Sequence, residues 1–387
     1  MSLGGNTQQQ TCPCDAKGRD AVRRPGIPDA QGRGRAWSTL PRPRSLPLIA
    51  AVVAAAVAPL TASAATQRLE SPRLSEIARA TTIPDTVIGR RTLAAASTWG
   101  GVFSTAGGPV TVRVSDTYPQ DPARAQRWAD FLASLVHGSE LSTVILFLAP
   151  LDEVQDRCGG GALACYGNGL IVAPGDDPTT NTSAEAVVTH EYGHHVASSR
   201  SDAPWAAVDY GTKRWASYEN VCARTTAGEL FPGAEQDERY RLNPGEGFAE
   251  TYRVLNQRRA GIPETPWDVV SQSLYPDATA LSVLEQDVTS PWNGNTQVSY
   301  SGSLGRTRVR SYAVATPEDG TLRVTLRTGR VRVTLDTFAG ARRVLHATVA
   351  ARSARTLTTT VCGARSYRLR ASLLRGTGTF RLTVAKP

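Results

Sequence analysis

The stretch TSAEAVVTHEYGHHVASS, residues 182–199, decides how the rest of the chain is interpreted. Ala and Val recur through it and no Pro interrupts it, so the sequence predicts a helix. Thr182 followed three positions later by Glu185 matches a capping box, which predicts that the helix starts at Thr182. The centre of this helix is the hexapeptide HEYGHH, residues 190–195.

The hexapeptide carries two histidines separated by about one helical turn. Residues four apart stack on the same helix face, so His190 and His194 can hold one metal ion between their imidazoles. Glu191 lies about 100° around the helix from His190, close enough to reach a water on that metal without being a ligand. Zinc suits these residues, because it accepts two nitrogens and one oxygen and keeps a fourth position for water.

A solvated polar helix face is the structural alternative for the same residues. It does not explain why three of the five histidines in the chain fall within six positions of an apolar helix. His195 points away from the His190 face, so we predict that it lies in the core or makes a structural hydrogen bond.

The third metal ligand must come from later in the chain. A third histidine six residues after His194 would stand at position 200, which is Arg200. A Gly-Thr-x-x-Asp motif starting at Gly211 would need an acid where Trp215 stands. Both possibilities fail, which leaves a glutamate on a second helix.

The stretch NPGEGFAETYRVL, residues 243–255, predicts that second helix. Glu246 and Glu250 are four apart and share a helix face, so one could bind zinc while the other accepts a hydrogen bond from a ligand imidazole. Alternatively, Asn243 caps the helix, Pro244 takes its first position, and Glu246 serves as the acid of a capping box. The residues alone leave open which glutamate is the ligand.

The two motifs together resemble the gluzincin metallopeptidases and, within them, the anthrax-lethal-factor-like group. The resemblance covers residues 140–256, and Gly247 stands where that group usually has an aromatic residue. It implies a zincin-like fold with Glu246 as the third zinc ligand and Glu250 as its support. It also implies a tyrosine upstream of the ligand that assists the transition state, for which Tyr240 is the nearest candidate.

The function implied is peptide-bond hydrolysis by a secreted zinc endopeptidase. Glu191 would be the general base, and Tyr240 would hydrogen-bond the developing oxyanion. The alternative is a catalytically inert secreted protein that binds the cell envelope through a basic C-terminal region. An intact Glu191 beside both histidines favours the enzyme.

Residues 1–64 have the composition of an export leader. Two arginines precede an apolar run at residues 46–60, and the sequence ASA at residues 62–64 offers a cleavage site. The run is shorter than the roughly 20 residues of a membrane span. We therefore predict a signal peptide and a secreted or extracytoplasmic protein, with an uncleaved anchor as the alternative.

Charge divides the remaining chain into two regions. Residues 65–296 carry 18 basic and 28 acidic side chains, whereas residues 297–387 carry 17 basic and 3 acidic ones. This asymmetry predicts a metallopeptidase domain at 65–290, a linker at 291–296 and a basic domain at 297–387. Because every candidate catalytic residue precedes the linker, we expect the basic domain to be dispensable for the hydrolysis of small peptides.

The predicted fold class is α+β, a zincin-like domain followed by an all-β sandwich. Beyond the linker, short segments alternate at period two between Gly-bearing turns, and they resemble the pre-peptidase C-terminal domains of secreted bacterial peptidases. Before the metal helix, the pattern predicts helices at 65–96 and 122–136, strands at 110–114 and 144–148, and at 167–173 an exposed edge strand for an extended peptide.

The basic domain also constrains the expected partners. Its arginines lack interleaved aromatic residues, so we expect no nucleic acid. An exported, basic domain is better suited to an anionic cell-envelope polymer, and the catalytic domain to a protein or peptide substrate.

Four cysteines follow the leader. Cys158 and Cys165 bracket three glycines and are predicted to close a small disulfide loop in an oxidising compartment. Cys222 and Cys362 lie in different predicted domains, and they could pair across the boundary or remain two buried thiols.

Overall fold

The computed structural model describes residues 97–235, 237–363 and 365–387. These residues belong to one compact unit. The predicted leader and signal peptide, and the helix predicted at 65–96, lie outside the described residues. None of the helices that the structure describes has the length and apolar character needed to cross a membrane.

The first region, residues 97–289, contains a mixed five-stranded sheet. Its strands are β1 (Thr98–Thr105), β2 (Gly108–Ser115), β3 (Ile145–Ala149), β4 (Cys165–Gly167) and β5 (Leu170–Pro174). Their order in the sheet is β1-β2-β3-β5-β4. The three inner strands run parallel, and the two outer strands run antiparallel to their neighbours.

Helices pack on this sheet and around one apolar core, in which Val112, Leu146 and Tyr192 are fully buried. Two short 3-10 turns also occur, Ser139–Thr143 and Gln272–Leu274. The α-helices of the region are α1 (Pro122–Ser134), α2 (Leu151–Cys158), α3 (Ala184–Ser198), α4 (Ala207–Tyr210), α5 (Lys213–Tyr218), α6 (Val221–Thr226), α7 (Asp237–Tyr240), α8 (Pro244–Ala260) and α9 (Ala278–Thr289).

Helix starts are set by side chains that accept backbone N–H groups. α1 begins after Asp121, whose side chain accepts the Ala123 N–H at 3.0 Å. α3 begins after Ser183, whose Oγ accepts the N–H of Ala186 at 3.1 Å. The predicted start at Thr182 is therefore wrong by one residue, because Thr182 instead forms an isolated β-bridge with Thr179.

The edge of the sheet differs from the predicted edge strand at 167–173. Asn168 and Gly169 turn the chain with φ values of 50° and 82°. An Asn-Gly pair favours such a two-residue hairpin, because both residues tolerate positive φ. β4 consequently folds back on β5, so β5 is an interior strand and β4 is the edge.

The second region, residues 296–387, is β-sandwich-like, and all of its strand pairs are antiparallel. Its strands are β6 (Thr296–Leu304), β7 (Val309–Ala315), β8 (Gly320–Thr328), β9 (Val331–Ala339), β10 (Arg342–Val349), β11 (Ala354–Val361), β12 (Ser366–Gly376) and β13 (Gly378–Lys386). They form two sheets, β10-β9-β12-β7 and β11-β8-β13-β6. Alternate side chains, among them Val324, Val333, Leu369 and Leu382, form the core of the region.

The described residues contain two disulfides. Cys158 and Cys165, with Cα atoms 5.7 Å apart, join the end of α2 to the first residue of β4, as their spacing predicts. Cys222 and Cys362, with Cα atoms 5.3 Å apart, join α6 to the turn after β11. The second pair thus links the two regions covalently, and both pairs are consistent with an oxidising compartment.

Buried polar contacts accompany this covalent link. The Asp319 N–H donates to Ser217 Oγ at 2.8 Å, and Arg365 donates to the Ser217 carbonyl oxygen. Lys213 is 3% exposed, and its Nζ lies 4.4 Å from the centroid of the Trp292 ring. The sandwich-like region is therefore fixed to α5 and α6.

Candidate metal centre

Helices α3 and α8 approach closely at Gly193. A Cβ at this position would lie 2.9 Å from the Cα of Ala249 on α8, a distance that a side chain does not tolerate. Glycine therefore permits the two helix backbones to come together. This approach brings His190 and His194 of α3 opposite Glu246 of α8.

Three side chains converge between the helices. His190 Nε2 lies 3.2 Å from His194 Nε2 and 3.2 Å from Glu246 Oε2. His194 Nε2 lies 3.4 Å from the same oxygen. The three side chains are 11%, 12% and 14% exposed, so two nitrogens and one oxygen form a nearly equilateral, largely shielded triangle.

A zinc ion fits this triangle. Zinc–ligand bonds of about 2.0–2.1 Å place two ligands of a tetrahedral ion about 3.3–3.4 Å apart, and the observed edges are 3.2–3.4 Å. Two imidazole nitrogens and a carboxylate oxygen are also ordinary zinc donors. Among the residues that the structure describes, these three form the one cluster of at least three His, Cys, Asp or Glu that could hold an ion.

Glu250 supports His190 from outside the triangle. Its Oε1 accepts a hydrogen bond from His190 Nδ1 at 2.9 Å, which leaves the lone pair of Nε2 facing the triangle. Arg253 is 2% exposed and donates to both carboxylate oxygens of Glu250. Burial alone would raise the pKa of Glu250, but the hydrogen bonds and charges of His190 and Arg253 outweigh it and lower this pKa to about 2.

The electrostatics of the triangle favour positive charge. Burial would lower the pKa of His190, but hydrogen bonds with Glu246 and Glu250 outweigh it and raise this pKa well above its ordinary value. Burial would raise the pKa of Glu246, yet the two imidazoles hold that pKa well below its usual range. A metal cation at the centre of the triangle would be stabilised by the same carboxylates.

Glu191 is buried beside the triangle without contributing a ligand atom to it. Burial raises the pKa of Glu191, although the charges of His190 and His194 oppose this shift. A raised pKa makes a carboxylate a stronger base, which suits a residue that accepts and returns a proton.

Tyr240, at the end of α7, reaches the triangle from the side of Glu246. Its hydroxyl donates to Glu246 Oε2 at 2.9 Å. Burial and the charge of Glu246 raise the pKa of Tyr240, so the phenol stays protonated and remains a hydrogen-bond donor. The tyrosine suggested by the family resemblance is thus in contact with the proposed ligand.

Gly247 lies close to Leu274, which follows α8 in the chain. A Cβ at Gly247 would lie 2.9 Å from Cδ1 of Leu274. Leu274 is fully buried, so any side chain at position 247 would require this leucine to shift.

Tyr166 of β4 is a neighbour of the site that the sequence interpretation missed. Its ring stacks beside His194 with centroids 6.4 Å apart. Its hydroxyl accepts the N–H of Gly169 at 3.1 Å and hydrogen-bonds to Ser198 of α3. Tyr166 therefore connects the edge strand to the metal helix. The Asn168-Gly169 turn signal could have indicated a separate strand β4 that carries Tyr166.

His195 lies outside the triangle, in the position predicted for a core histidine. It is 3% exposed, and its Nε2 hydrogen-bonds to the carbonyl oxygen of Glu140 at 2.9 Å. Burial lowers the pKa of His195, which keeps the ring neutral.

Comparisons with known proteins leave the family unassigned. No protein-family model matches the chain, and no curated protein matches its sequence. A pre-peptidase C-terminal domain of a collagenase from Bacillus anthracis is 16% identical, with a TM-score of 0.19, over 23% of this chain and 88% of that domain.

Two other solved structures show similar values. A mitogen derived from Yersinia pseudotuberculosis is 12% identical, with a TM-score of 0.20, over 24% of this chain and 87% of its own. A periplasmic inhibitor of g-type lysozyme from Aeromonas hydrophila is 11% identical, with a TM-score of 0.19, over the same shares. Likenesses at this level assign neither a family nor a function.

Proposed function

We propose that the protein is a secreted zinc-dependent endopeptidase of the gluzincin type, with a zincin-like catalytic domain in its first region. The observation that carries the proposal is the triangle of His190, His194 and Glu246, whose edges suit a tetrahedral zinc ion. The buried Glu191 beside this triangle distinguishes a hydrolytic site from a purely structural one.

Each residue of the site would have one role. His190, His194 and Glu246 would hold the ion, and Glu250 would keep the His190 ring oriented toward it. Zinc, when bound, would act as a Lewis acid that lowers the pKa of a water molecule to about 7 and polarises the scissile carbonyl. Glu191 accepts a proton from the attacking water and returns it to the leaving amine.

Tyr240 would stabilise the oxyanion that develops on the carbonyl oxygen. Its hydroxyl donates to Glu246 in this structure, so it must turn toward the substrate when a peptide is bound. In this step the oxyanion would replace the Glu246 carboxylate as the acceptor of the Tyr240 hydroxyl.

The edge strand β4 offers the site for the substrate backbone. An extended peptide can pair with the free edge through main-chain hydrogen bonds, which accommodates different substrate sequences. The disulfide at Cys165 and the contacts of Tyr166 hold this strand beside the metal centre.

Zinc content and casein cleavage of the purified protein test the proposal. We expect about one zinc per chain, loss of cleavage with a chelator, and recovery when zinc is restored. Cleavage that survives metal removal contradicts the proposal. Stoichiometric zinc without any hydrolysis would instead favour the inert envelope-binding protein.

A further inference from the structure

The outer face of the sheet β11-β8-β13-β6 carries arginines among small hydroxyl side chains. Along β8, buried residues alternate with exposed or half-buried ones, and Arg323 and Arg327 lie on the exposed side. Arg381 of β13 lies on the same face. We call this surface the arginine face, and its other members include Ser299, Ser301, Thr325, Thr356, Thr358 and Thr383.

Two of these arginines stand directly opposite each other. Arg327 on β8 pairs in register with Arg381 on β13, and the next strand places Ser301 beside Arg381. Directly opposed residues have Cβ atoms about 4.5–5.5 Å apart, and like charges there destabilise a sheet. Within the described part of the chain, no salt bridge or side-chain hydrogen bond relieves either guanidinium.

Three cationic side chains of the opposite sheet have partners within the protein. Arg343 and His346 approach the Asp336 carboxylate at 3.3 and 2.7 Å. Arg368 lies over the Phe338 ring at 5.2 Å from its centroid. These three side chains thus have partners within the protein, whereas none is found among the described residues for Arg327 and Arg381. Within the same residues, Arg332 and Arg375 of the opposite sheet also stand opposed without a partner, but that sheet carries the Asp336 carboxylate.

Acidic residues are also missing from the arginine face. Residues 297–387 contain three acids, Glu318, Asp319 and Asp336. Asp336 lies on β9 of the other sheet, and the remaining two precede β8 at the junction with α5. A shallow groove of about 620 Å³ lies over Arg327 and Arg381, and Ser301 and Thr379 also line it.

We propose that the arginine face binds an extended, phosphate-bearing polyanion. Two adjacent guanidinium groups can share one phosphate, because each presents planar donors that match its oxygens. Arg323 lies four residues from Arg327 along β8, a separation of about 13 Å. One small anion cannot bridge that distance, so a chain with repeated charges is the better ligand.

The composition of the face also separates this ligand from nucleic acid. Proteins that bind single strands place aromatic rings under the bases. The outward positions of the arginine face carry no aromatic residue, and its serines and threonines can donate to phosphate oxygens or polyol hydroxyls. This binding role is independent of the proposed peptidase activity.

Binding to immobilised long-chain inorganic polyphosphate tests the proposal with the complete protein. The double variant Arg327→Gln/Arg381→Gln should bind at least about tenfold more weakly, because each charge-assisted hydrogen bond contributes substantially. The matched control, Arg343→Gln/Arg368→Gln, removes the same charge from the opposite sheet and should lose less than about threefold. Casein cleavage should be unchanged in both.

The same variants also test the stability of the fold and the salt dependence of binding. Because the two opposed arginines repel each other, their replacement should leave the Tm unchanged or raise it. The salt dependence of polyphosphate binding should become shallower in the double variant and stay near the original slope in the control.

Three results would overturn the proposal. Equal weakening by the two double variants would mean that net charge, and not this face, binds the polymer. Equal binding of polygalacturonate would mean that the arginine face binds carboxylate and phosphate polymers alike. Tighter binding of single-stranded DNA than of polyphosphate with the same number of phosphates would point to nucleic acid.

Discussion

The two glutamates of α8 have different partners although they share a helix face. Asn243 caps the helix alone, by accepting the Gly245 N–H at 2.9 Å. Glu246 is thereby free to face the imidazoles, while Glu250 is held between His190 and Arg253. Sequence spacing predicted that both acids face α3, but it could not assign their roles, because these depend on how α3 and α8 cross.

Matched amide variants test the two roles. Glu246→Gln should reduce zinc affinity severely, because an amide replaces a charged ligand. Glu250→Gln should reduce it by only about 10–100-fold, as changes to a residue that orients a ligand do. Zinc titration against a competing chelator measures both, and the reverse order would make Glu250 the ligand. An alanine at position 250 is a poorer choice, because it would also remove the oxygen acceptors of the His190 and Arg253 hydrogen bonds, one of which a glutamine keeps.

Glu191 separates zinc binding from catalysis. Glu191→Gln should retain zinc, because the residue contributes no ligand atom, and should lower kcat by about 10²–10⁴-fold, because the general base is removed. Glu185→Gln, an exposed position on the same helix, is the control and should leave both unchanged. An active Glu191→Gln protein would refute the proposed mechanism.

Among the elements, the helix pair and the β4–β5 hairpin differ in how well the sequence indicates them. Both helices follow from apolar patterns and cap residues, so their existence was predictable. The predicted edge strand merged two strands, because the apolar run of β5 outweighed the Asn168-Gly169 turn signal. The contact at Gly193 could not be predicted, since it depends on the distance between α3 and α8.

This helix contact gives a prediction at Gly193. Gly193→Ala should push α3 away from α8, because the added Cβ would lie 2.9 Å from a backbone atom of Ala249. We expect the free energy of unfolding to fall by about 1–3 kcal/mol and zinc affinity to fall with it. Gly160→Ala, where an added Cβ meets nothing within 4 Å, is the control. Unchanged zinc binding in Gly193→Ala would show that the helices tolerate a wider separation.

For the whole molecule, the opposite net charges of the two regions would favour attraction between them. None of the salt bridges among the described residues joins the two regions. They are held instead by the Cys222–Cys362 disulfide and by buried contacts around Ser217. The sequence left this disulfide open, because pairing over 140 residues depends on the docked arrangement.

A buried acid at this junction makes stability depend on pH. Asp202 Oδ2 accepts the Lys213 N–H at 2.8 Å, but Oδ1 has no hydrogen-bond partner in the part of the chain that the structure describes. Burial, above all, raises the pKa of Asp202 from 3.8 to about 6. Its protonated form therefore stabilises the fold at low pH, and this contribution is lost as the pH rises through about 6.

Asp202→Asn should prevent this loss of stability above pH 6. The variant should gain about 1–2 kcal/mol of unfolding free energy at pH 7.5 and markedly less at pH 4.5, because the amide cannot ionise. Denaturant titrations at the two pH values measure the difference. A gain of the same size at both would mean that the carboxylate is not the source.

The junction also bears on the expectation that the second region is dispensable for the hydrolysis of small peptides. Ser217 lies on the helix that carries Trp215, and the Trp215 ring packs edge-on against Phe248 at 5.5 Å. Phe248 stands between Glu246 and Glu250 on α8, so a continuous set of buried contacts connects the sandwich-like region to the metal centre.

Deleting residues 297–387 should therefore lower the Tm, the zinc affinity and the rate of hydrolysis of a small peptide. Cys222→Ser/Cys362→Ser is the control, since it removes the covalent link, at a cost of about 2–5 kcal/mol, but leaves the contacts at Ser217 in place. We expect it to lower the Tm while zinc affinity and hydrolysis stay nearly unchanged. Near-UV circular dichroism identifies variants that have lost their packed core. A folded truncated protein with full zinc affinity and hydrolysis would show that the first region builds its metal centre alone.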